Sequence, residues 1–235
     1  MKRSISKLLL VQLILLALVI NSCKKDDSKP SGWVSSYSNI VLGDQNNHTN
    51  GHFLKPQTGE SIAVESALAQ QKSLAMLFFT ESGGANSFLT FPADGTAASS
   101  FGTASNRLYT NNPGGINLWD QAYLNSGMIN DNVSMTSIEF DALVKAKDWT
   151  KFDQAFTSNN AGKADLSYKL HYTLNPAVGD VYLIQFNGLV RAIVCIRSIL
   201  TSGASGGNIR FDMIIEGRDS YVNSNLAKLI QPVKL

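Results

Sequence analysis

The sequence has few of the residues, and none of several short motifs, that carry familiar enzyme chemistry. Only two of its 235 residues are cysteines, three are histidines, and 16% are charged. The patterns of a P-loop, a His-Glu-x-x-His zinc helix and a Cys-x-x-Cys dithiol site are all absent. We therefore assign no catalytic residue from motifs, expect no cofactor, and lean towards a protein that is not an enzyme.

The histidines do not have the spacing of a metal site. They are His48, His52 and His171. His48 and His52 are four residues apart, but a glycine-containing turn separates them, so they do not share a helix face. The segment from Asp44 to Asn50 superficially resembles a calcium loop. Counted from Asp44, the first glycine is Gly51 at the eighth position, whereas a calcium loop has its glycine at the sixth. Lys55 stands at the twelfth position, where the bidentate glutamate belongs. We interpret this segment as a polar turn and predict no metal.

Residues 1–22 have the pattern of a signal peptide. Three basic residues come first, and an apolar run from Leu8 to Ile20 follows, broken only by Gln12. A helix needs roughly 20 apolar residues to span a bilayer, so this run is too short, but it suits the apolar region of a signal peptide.

The end of that run, Ile20-Asn21-Ser22-Cys23, resembles a bacterial lipobox. The resemblance implies cleavage before Cys23, transfer of diacylglycerol to its sulfur, and acylation of the new amino terminus. The chain would then contact the membrane through this lipid, and Cys195 would be the one free thiol, which excludes a disulfide framework. The alternative is an ordinary secretory signal with a chance cysteine.

Residues 23–32 are predicted to form a flexible tether, because the stretch after Cys23 has no apolar side chain to bury. Within it, Lys25-Asp26-Asp27 resembles the export signal that sends Bacteroidetes lipoproteins to the cell surface. An ordinary charged linker is the alternative. The expected location is the outer membrane, lipid-anchored and exposed at the cell surface.

The charge of the mature chain gives no indication of a nucleic-acid partner. Residues 1–22 hold three basic and no acidic residues, so cleavage leaves 17 Lys+Arg against 18 Asp+Glu. The formal net charge thus changes from +2 to −1. A basic surface patch is the usual mark of nucleic-acid binding, and this balance does not favour one.

Residues 33–235 are predicted to fold as one domain of the α+β class. We expect it to be β-rich, with a mostly antiparallel sheet or partial barrel, a C-terminal three-stranded meander and a few short helices. A seam between two sub-domains could fall within 93–132, which is dense in Gly, Ser, Thr, Asn and Ala. Because forty residues without structure are unusual in a compact domain, short elements are expected there.

The first part of this domain is similar to a segment found in uncharacterised Bacteroidetes surface lipoproteins. The segment has a strand ending in Leu-Gly-x-Gln-x-Asn, a Gly-x-Phe, a Thr-Gly turn, a short helix and an apolar strand. The matching residues are Leu42–Asn46, Gly51–Phe53, Thr58-Gly59, Val64–Gln71 and Leu74–Phe79. Asp44 departs from the small residue expected there. The resemblance implies a family without a known activity.

The C-terminal half predicts two helices packed on a meander. Thr136-Ser137-Ile138-Glu139 is a capping box, so a helix should run to about Ala146, and a second should begin near Thr150. Three strands should follow, at Val181–Phe186, Leu189–Leu200 and Asn208–Glu216.

The registers of the meander follow from its turns and charges. Asn187-Gly188 predicts a two-residue type I′ hairpin. Counting from it places one set of side chains on the core face: Val181, Leu183, Val190, Ala192, Val194 and Ile196. Ile209–Ile215 should continue this face. The opposite face is too apolar to be solvated, so we expect a helix or loop over it. Avoidance of like charges predicts Arg197 opposite Asp212.

One cluster in the middle of the chain is typical of a ligand site. It consists of Asn117, Trp119, Asp120, Gln121 and Tyr123. Sugar sites combine an aromatic face with amide and carboxylate groups that bind hydroxyls. The alternative is that Trp119 packs in the core and fixes an irregular loop.

These observations favour a non-enzymatic surface lipoprotein that binds glycan or another polymer. A surface glycoside hydrolase is the first alternative, because two loop carboxylates that converge would supply the acid and the base of such an enzyme. The candidates are Glu81, Asp94, Asp120, Asp131 and Glu139. The second alternative is a structural component of an envelope complex, with an envelope protein as its partner.

Overall fold

The residues that the structure, a computed structural model, describes are 32–81, 86–94, 107–110, 113–166, 170–187, 189–201 and 206–218. The signal peptide, Cys23 and the tether up to Ser31 lie outside them, as does the central glycine of Asn187-Gly188. All the described residues belong to one unit that begins at Gly32. No helix among these residues is both long and apolar enough to cross a membrane.

Ten strands within the described residues form two antiparallel sheets. They are β1 Gly32–Gly43, β2 Phe53–Lys55, β3 Glu60–Ile62, β4 Met76–Thr80, β5 Ser87–Thr90, β6 Gly127–Asn130, β7 Tyr172–Leu174, β8 Val181–Phe186, β9 Val190–Leu200 and β10 Asn208–Arg218. The strand order is β1-β10-β9-β8-β6 in the first sheet and β3-β2-β4-β5-β7 in the second. The predicted β-rich α+β fold is confirmed, with its strands divided between two sheets and no closed barrel among them.

Three α-helices accompany the sheets in the described ranges: α1 Val64–Gln70, α2 Ser137–Ala146 and α3 Trp149–Ser158. The predicted capping box opens α2. The Thr136 N–H donates to the Glu139 carboxylate at 2.7 Å, and the Glu139 N–H donates to the Thr136 hydroxyl at 3.3 Å. Hydrogen bonds from the Thr136 backbone and hydroxyl lower the pKa of Glu139. Short 3₁₀ turns at Ile116–Leu118 and Gln121–Tyr123 are the kind of element expected within 93–132.

The apolar side chains form three clusters that define four layers. The central cluster lies between the sheets and joins Leu54 and Phe78 of the second sheet to Val194 and Phe211 of the first. A second cluster packs α2 and α3 on the outer face of the first sheet. Its buried members are Phe140, Leu143, Phe152, Phe156, Leu166, Val181, Leu183, Ile193, Cys195 and Ile214. The predicted helical cover over the meander is thereby confirmed. Cys195 is buried in this layer, and burial raises its pKa.

The third cluster covers the outer face of the second sheet. Side chains of α1 and of the loop around residues 107–124 pack there against alternate residues of β2, β4 and β5. The cluster contains Phe53, Val64, Ala67, Leu74, Leu77, Phe79, Phe88, Leu108, Tyr109, Ile116 and Trp119. The described part of the irregular middle stretch therefore contributes four side chains to an apolar cluster that it shares with α1 and the second sheet.

The β8–β9 hairpin differs from its prediction by one residue. Phe186 pairs with Val190, so three residues connect the strands instead of two. Asn187, with φ of 48°, uses its backbone and side chain to bind Ser126, and its amide donates to Asn125 at 2.7 Å. These bonds extend the β6–β8 ladder and replace the expected type I′ turn. A register shift of one residue moves every side chain of a strand to the opposite face of the sheet. Val181 and Leu183 therefore face the helices and not the central core.

The β9–β10 register is also different, although the predicted ion pair forms. Phe211 pairs with Ile196 and Arg210 with Ser198, which leaves Arg197 in a bulge. From the bulge, Arg197 Nε donates to Asp212 Oδ2 at 2.8 Å, and the guanidinium also binds Asp141 of α2. The predicted register is therefore wrong, because Asp212 pairs with Cys195 and not with Arg197. The predicted contact between Arg197 and Asp212 does form, because the bulge lets Arg197 reach both Asp212 and Asp141.

β1 is an edge strand of the first sheet, and its pairing with β10 is interrupted. The register shifts between Tyr37 and Ile40. Asn39 within this break has a left-handed φ of 58°, and its N–H donates to Asp212 at 2.8 Å. The strand therefore pairs in two runs on either side of the break.

Candidate functional site

Trp119 does not form the aromatic platform predicted from the sequence. Its side chain is 3% exposed, and its indole N–H donates to the Gly114 carbonyl at 2.8 Å. The indole lies 5.1 Å from the Phe53 ring, centroid to centroid. Because the side chain is buried in the third apolar cluster, the ring offers no exposed face to a ligand. The alternative interpretation, a tryptophan that fixes an irregular loop, describes its position.

The other four residues of that cluster lie at the surface beside it. Asn117, Asp120 and Gln121 are exposed, and Tyr123 is half-buried with the Lys72 ammonium 4.0 Å from its ring centroid. Asp120 caps the 3₁₀ turn by accepting from the Ala122 N–H at 2.9 Å. Ligand binding by these four residues stays a prediction, now without an aromatic face at Trp119.

A pocket with the features of a ligand site opens between the two sheets where β1 begins. We call it the Trp33 pocket. Its cavity has a volume of about 60 Å³. It is lined by Trp33, Ser35 and Tyr37 of β1, Pro56 and Gln57 of the β2–β3 turn, Ala75 before β4, Phe186, Val190, and Ile215, Glu216 and Gly217 of β10.

The indole of Trp33 forms the outer wall of this pocket, and Gly217 positions it. The two residues are direct partners in the β1–β10 ladder. A Cβ at Gly217 would lie 2.3 Å from the indole, so only glycine lets the ring lie against the backbone there. Trp33 nevertheless remains 38% exposed. The ring is thus held in place and open to solvent, which suits a stacking surface.

Gln57 supplies the polar group of the pocket. It lies in the turn between β2 and β3, where the N–H of Gly59 donates to the Lys55 carbonyl at 3.0 Å. The Tyr37 hydroxyl donates to the Gln57 carbonyl, and burial raises the pKa of Tyr37, so the hydroxyl stays protonated. Both amide atoms of the Gln57 side chain are buried, and neither has a hydrogen-bond partner among the described residues. A free donor and a free acceptor therefore lie side by side.

Glu216 lines the pocket, but its carboxylate is bonded on the other face of the sheet. It accepts from Arg191 Nε at 2.9 Å and from Nη2 at 2.7 Å, and Arg191 Nη2 also donates to Asp153 of α3 at 2.7 Å. Burial opposes the charged guanidinium, yet the bonds to Glu216 and Asp153 raise the pKa of Arg191. This ion pair is structural, and it engages the one carboxylate found among the described lining residues.

His48 and His52 come close together, with an arginine beside them. His52 Nδ1 accepts from the Val64 N–H at 3.1 Å, so its Nε2 carries the proton and donates to the Asn47 carbonyl at 2.7 Å. The Arg107 guanidinium lies 2.6 Å from His48 Nδ1. Burial lowers the pKa of His52, which keeps the ring neutral. No group of three or more His, Cys, Asp or Glu in the described part of the chain is placed to hold a metal.

The segment from Asp44 to Asn50 is a turn built from side-chain hydrogen bonds. Asp44 accepts from the Asn46 N–H at 2.9 Å and from the Thr80 hydroxyl at 2.7 Å. Asn47 accepts from the N–H groups of Thr49 and Asn50. These carboxylate and amide oxygens are engaged within the protein, as the interpretation as a polar turn requires.

Gly203–Gly207 matches the letters of Gly-x-Ser-x-Gly, the pattern of a nucleophile elbow. A nucleophile elbow connects a strand to a helix. This segment instead lies between β9 and β10, two antiparallel neighbours. Residues 202–205 lie outside the described residues. The connection therefore gives no support to a nucleophile.

Sequence reasoning also missed Trp33 and Gln57 as site residues. Alternation along β1 does put Trp33, Ser35 and Tyr37 on one face, and Thr58-Gly59 does indicate a turn at Gln57. Neither pattern indicates that the two segments meet. Comparison with protein-family models, curated proteins and solved structures finds no match to this chain, so the pocket is interpreted from its geometry.

Proposed function

We propose that this chain is a lipid-anchored binding protein of the outer membrane, exposed at the cell surface, and that it holds glycan in the Trp33 pocket without cleaving it. The lipobox resemblance at Cys23 and the resemblance of Lys25-Asp26-Asp27 to an export signal support the location. One observation carries the ligand class: an open indole stands beside an amide whose donor and acceptor have no partner among the described residues.

That combination suits a sugar better than other small ligands. A pyranose presents C–H groups on its face, which pack against an aromatic ring, and hydroxyls on its rim. Two neighbouring hydroxyls can pair both polar atoms of a Gln side chain, since one accepts from Nε2 and the other donates to Oε1. Leaving that buried amide unpaired costs about 1–3 kcal/mol for each group. A ligand that pairs both atoms therefore gains specificity as well as affinity.

The pocket favours binding over hydrolysis. A glycoside hydrolase needs two carboxyl groups roughly 5 to 9 Å apart, one on each side of the bond that is cleaved. Among the described residues that line the pocket, only Glu216 is acidic, and its oxygens accept from Arg191 on the far face of the sheet. The acid–base pair that hydrolysis requires is not available at this place.

One observation favours hydrolysis elsewhere, as a second candidate function. Asp131, one of the carboxylates considered from the sequence, lines a polar cleft of about 280 Å³ together with Asp180 and Tyr182. The Tyr182 hydroxyl donates to Asp180 at 2.6 Å. Burial, the bond to Asp180 and the charges of both acids raise the pKa of Tyr182, which keeps it protonated. Hydrolysis at this cleft would release shorter glycans, whereas binding alone would leave the glycan intact. The two functions can therefore be distinguished by the products.

Replacing Trp33 by alanine is expected to weaken glycan binding by about tenfold or more, because an aromatic anchor in a binding pocket is worth at least 1–2 kcal/mol. A glycan array followed by affinity electrophoresis on the glycan it identifies measures the loss, and chromatography of that glycan after incubation detects any cleavage. Ile138→Ala on α2, where the side chain is 79% exposed, is the control and should bind like wild type. Equal retention of Trp33→Ala and wild type would remove the pocket from the proposal.

Replacing Cys23 by alanine is expected to block lipidation and leave the precursor uncleaved or the product released. Neutral residues in place of Lys25-Asp26-Asp27 should preserve the lipid but abolish surface exposure. Acyl labelling, membrane fractionation and protease treatment of intact cells measure the three properties, with Ser28→Ala in the same tether as the control. Cells that remain protease-sensitive after the neutral change would show that the acidic stretch is only a linker.

A further inference from the structure

The size of the Trp33 pocket limits what can enter it. One water-sized group needs roughly 10–15 Å³ of such a cavity. The volume of about 60 Å³ therefore holds about four to six groups of that size. An acetamido group fits this space and a whole pyranose does not. The ring of a bound sugar must then stay at the mouth, against Trp33, with one substituent inside.

The lining separates into an apolar inner wall and a polar side. Ala75, Phe186, Val190 and Ile215 have fractional exposures between 0% and 6% and form the inner wall. The side-chain amide of Gln57 is the buried polar group beside them, and both its atoms lack a partner among the described residues. A substituent suited to this cavity has a small apolar end and a polar group next to it.

We propose that the substituent is the acetamido group of an N-acetylated sugar, an inference that rests on the proposed glycan-binding function. The methyl group fills the space against Ala75 and Val190. The Gln57 amide, which is buried and has no partner among the described residues, turns towards the cavity when the sugar binds. The acetamido carbonyl then accepts from Gln57 Nε2, and a neighbouring sugar hydroxyl donates to Gln57 Oε1. The pyranose ring packs on the Trp33 indole at the mouth.

The charge and the size of the pocket disfavour the two closest analogues of an N-acetylated sugar. A free amino sugar would place an ammonium against an apolar wall, and Glu216, the acidic residue among the described lining residues, is already paired with Arg191. Burying a cation without a partner is strongly unfavourable. A plain hydroxyl leaves the methyl space unfilled and loses one hydrogen bond to the amide. Together these losses amount to about a tenfold lower affinity.

Calorimetry on the mature chain in detergent tests this inference with two series of oligomers. The first series consists of N-acetylglucosamine, glucosamine and glucose oligomers of equal length and linkage. The second series consists of the corresponding N-acetylgalactosamine, galactosamine and galactose oligomers. The acetylated form of one series should bind at least about tenfold more tightly than its two partners. Equal binding of acetylated and plain sugars would overturn the acetamido assignment and leave glycan binding intact. Binding through Trp33 of a glycan that carries no N-acetyl group would likewise overturn the acetamido assignment alone. If the protein binds no glycan, both the acetamido assignment and the proposed glycan-binding function are overturned.

Two variants locate the discrimination in the pocket. Gln57→Ala should lower the affinity for the acetylated oligomer to about that for the plain one, while Gln154→Ala, an exposed glutamine on α3, should leave it unchanged. Ala75→Val fills the cavity and should also abolish the preference. Because Ala75 is fully buried, the thermal unfolding of the Ala75→Val variant is recorded in parallel. If that variant does not fold, the loss of preference is judged from Gln57→Ala alone. A preference that survives Gln57→Ala contradicts the inference.

Discussion

Replacing Trp119 by alanine lowers the free energy of unfolding by about 3–5 kcal/mol, the usual cost of removing a large buried aromatic side chain. The ring packs on Phe53, and its N–H pairs with the Gly114 carbonyl, so the variant leaves both a cavity and an unpaired buried oxygen. Urea unfolding of the mature chain, followed by tryptophan fluorescence and circular dichroism, measures the change.

Leu118→Ala is the matched control for this variant. Leu118 precedes Trp119 in the chain, but its side chain is 42% exposed, so its truncation should cost less than about 1 kcal/mol. A Trp119→Ala protein that unfolds at the wild-type denaturant concentration yet loses glycan binding would contradict the buried position. It would restore the sequence-based interpretation of this loop as a ligand site.

Replacing Glu216 by alanine should destabilise the chain by about 3–5 kcal/mol, because it leaves the Arg191 cation buried with its main partner removed. The side chains of Arg191 and Glu216 are 2% and 0% exposed. The guanidinium carbon also lies 5.0 Å from the centroid of the Phe156 ring, so it cannot turn to solvent without disturbing α3. Thermal and urea unfolding of the variant measure the loss.

Two further variants separate the ion pair from general packing. Asp153→Asn removes the more exposed partner of Arg191, 38% exposed, and should cost about 1 kcal/mol or less. The double variant Arg191→Met with Glu216→Leu replaces the pair by apolar side chains and should recover most of the stability. If the double variant is as unstable as the sum of its single changes, the two residues do not act as a pair.

The elements that were predicted well are those set by short-range patterns. The capping box at Thr136 fixed the start of α2, and strict alternation placed Ile209–Ile215 on the core face of β10. The excess of apolar residues on the far side of β9 indicated a covering layer, and α2 and α3 provide it. Each of these inferences uses neighbours within a few residues, where backbone geometry leaves little choice.

The registers failed because distant contacts determine them. Asn187-Gly188 would make a type I′ turn in an isolated hairpin, but Asn187 binds Asn125 and Ser126 and lengthens the loop. Arg197 avoids Arg210 by a bulge that no local pattern indicates. Trp119 and Trp33 were equally hard to distinguish, since both stand among polar neighbours in the sequence. Trp119 is a core residue because it packs in the same apolar cluster as α1. Trp33 is a pocket wall because it lies where the two sheets leave a gap.

The break in β1 has a consequence for self-association. A regular twelve-residue edge strand would present a continuous row of N–H and C=O groups, which is a template for pairing with a second chain. The shift between Tyr37 and Ile40, with Asn39 turned into the left-handed region and its N–H committed to Asp212, divides that row in two. The longest regular run of this edge is then six residues, Gly32–Tyr37, instead of twelve. An edge strand that is interrupted by a bulge is a poorer template for pairing between copies of this protein than a continuous one.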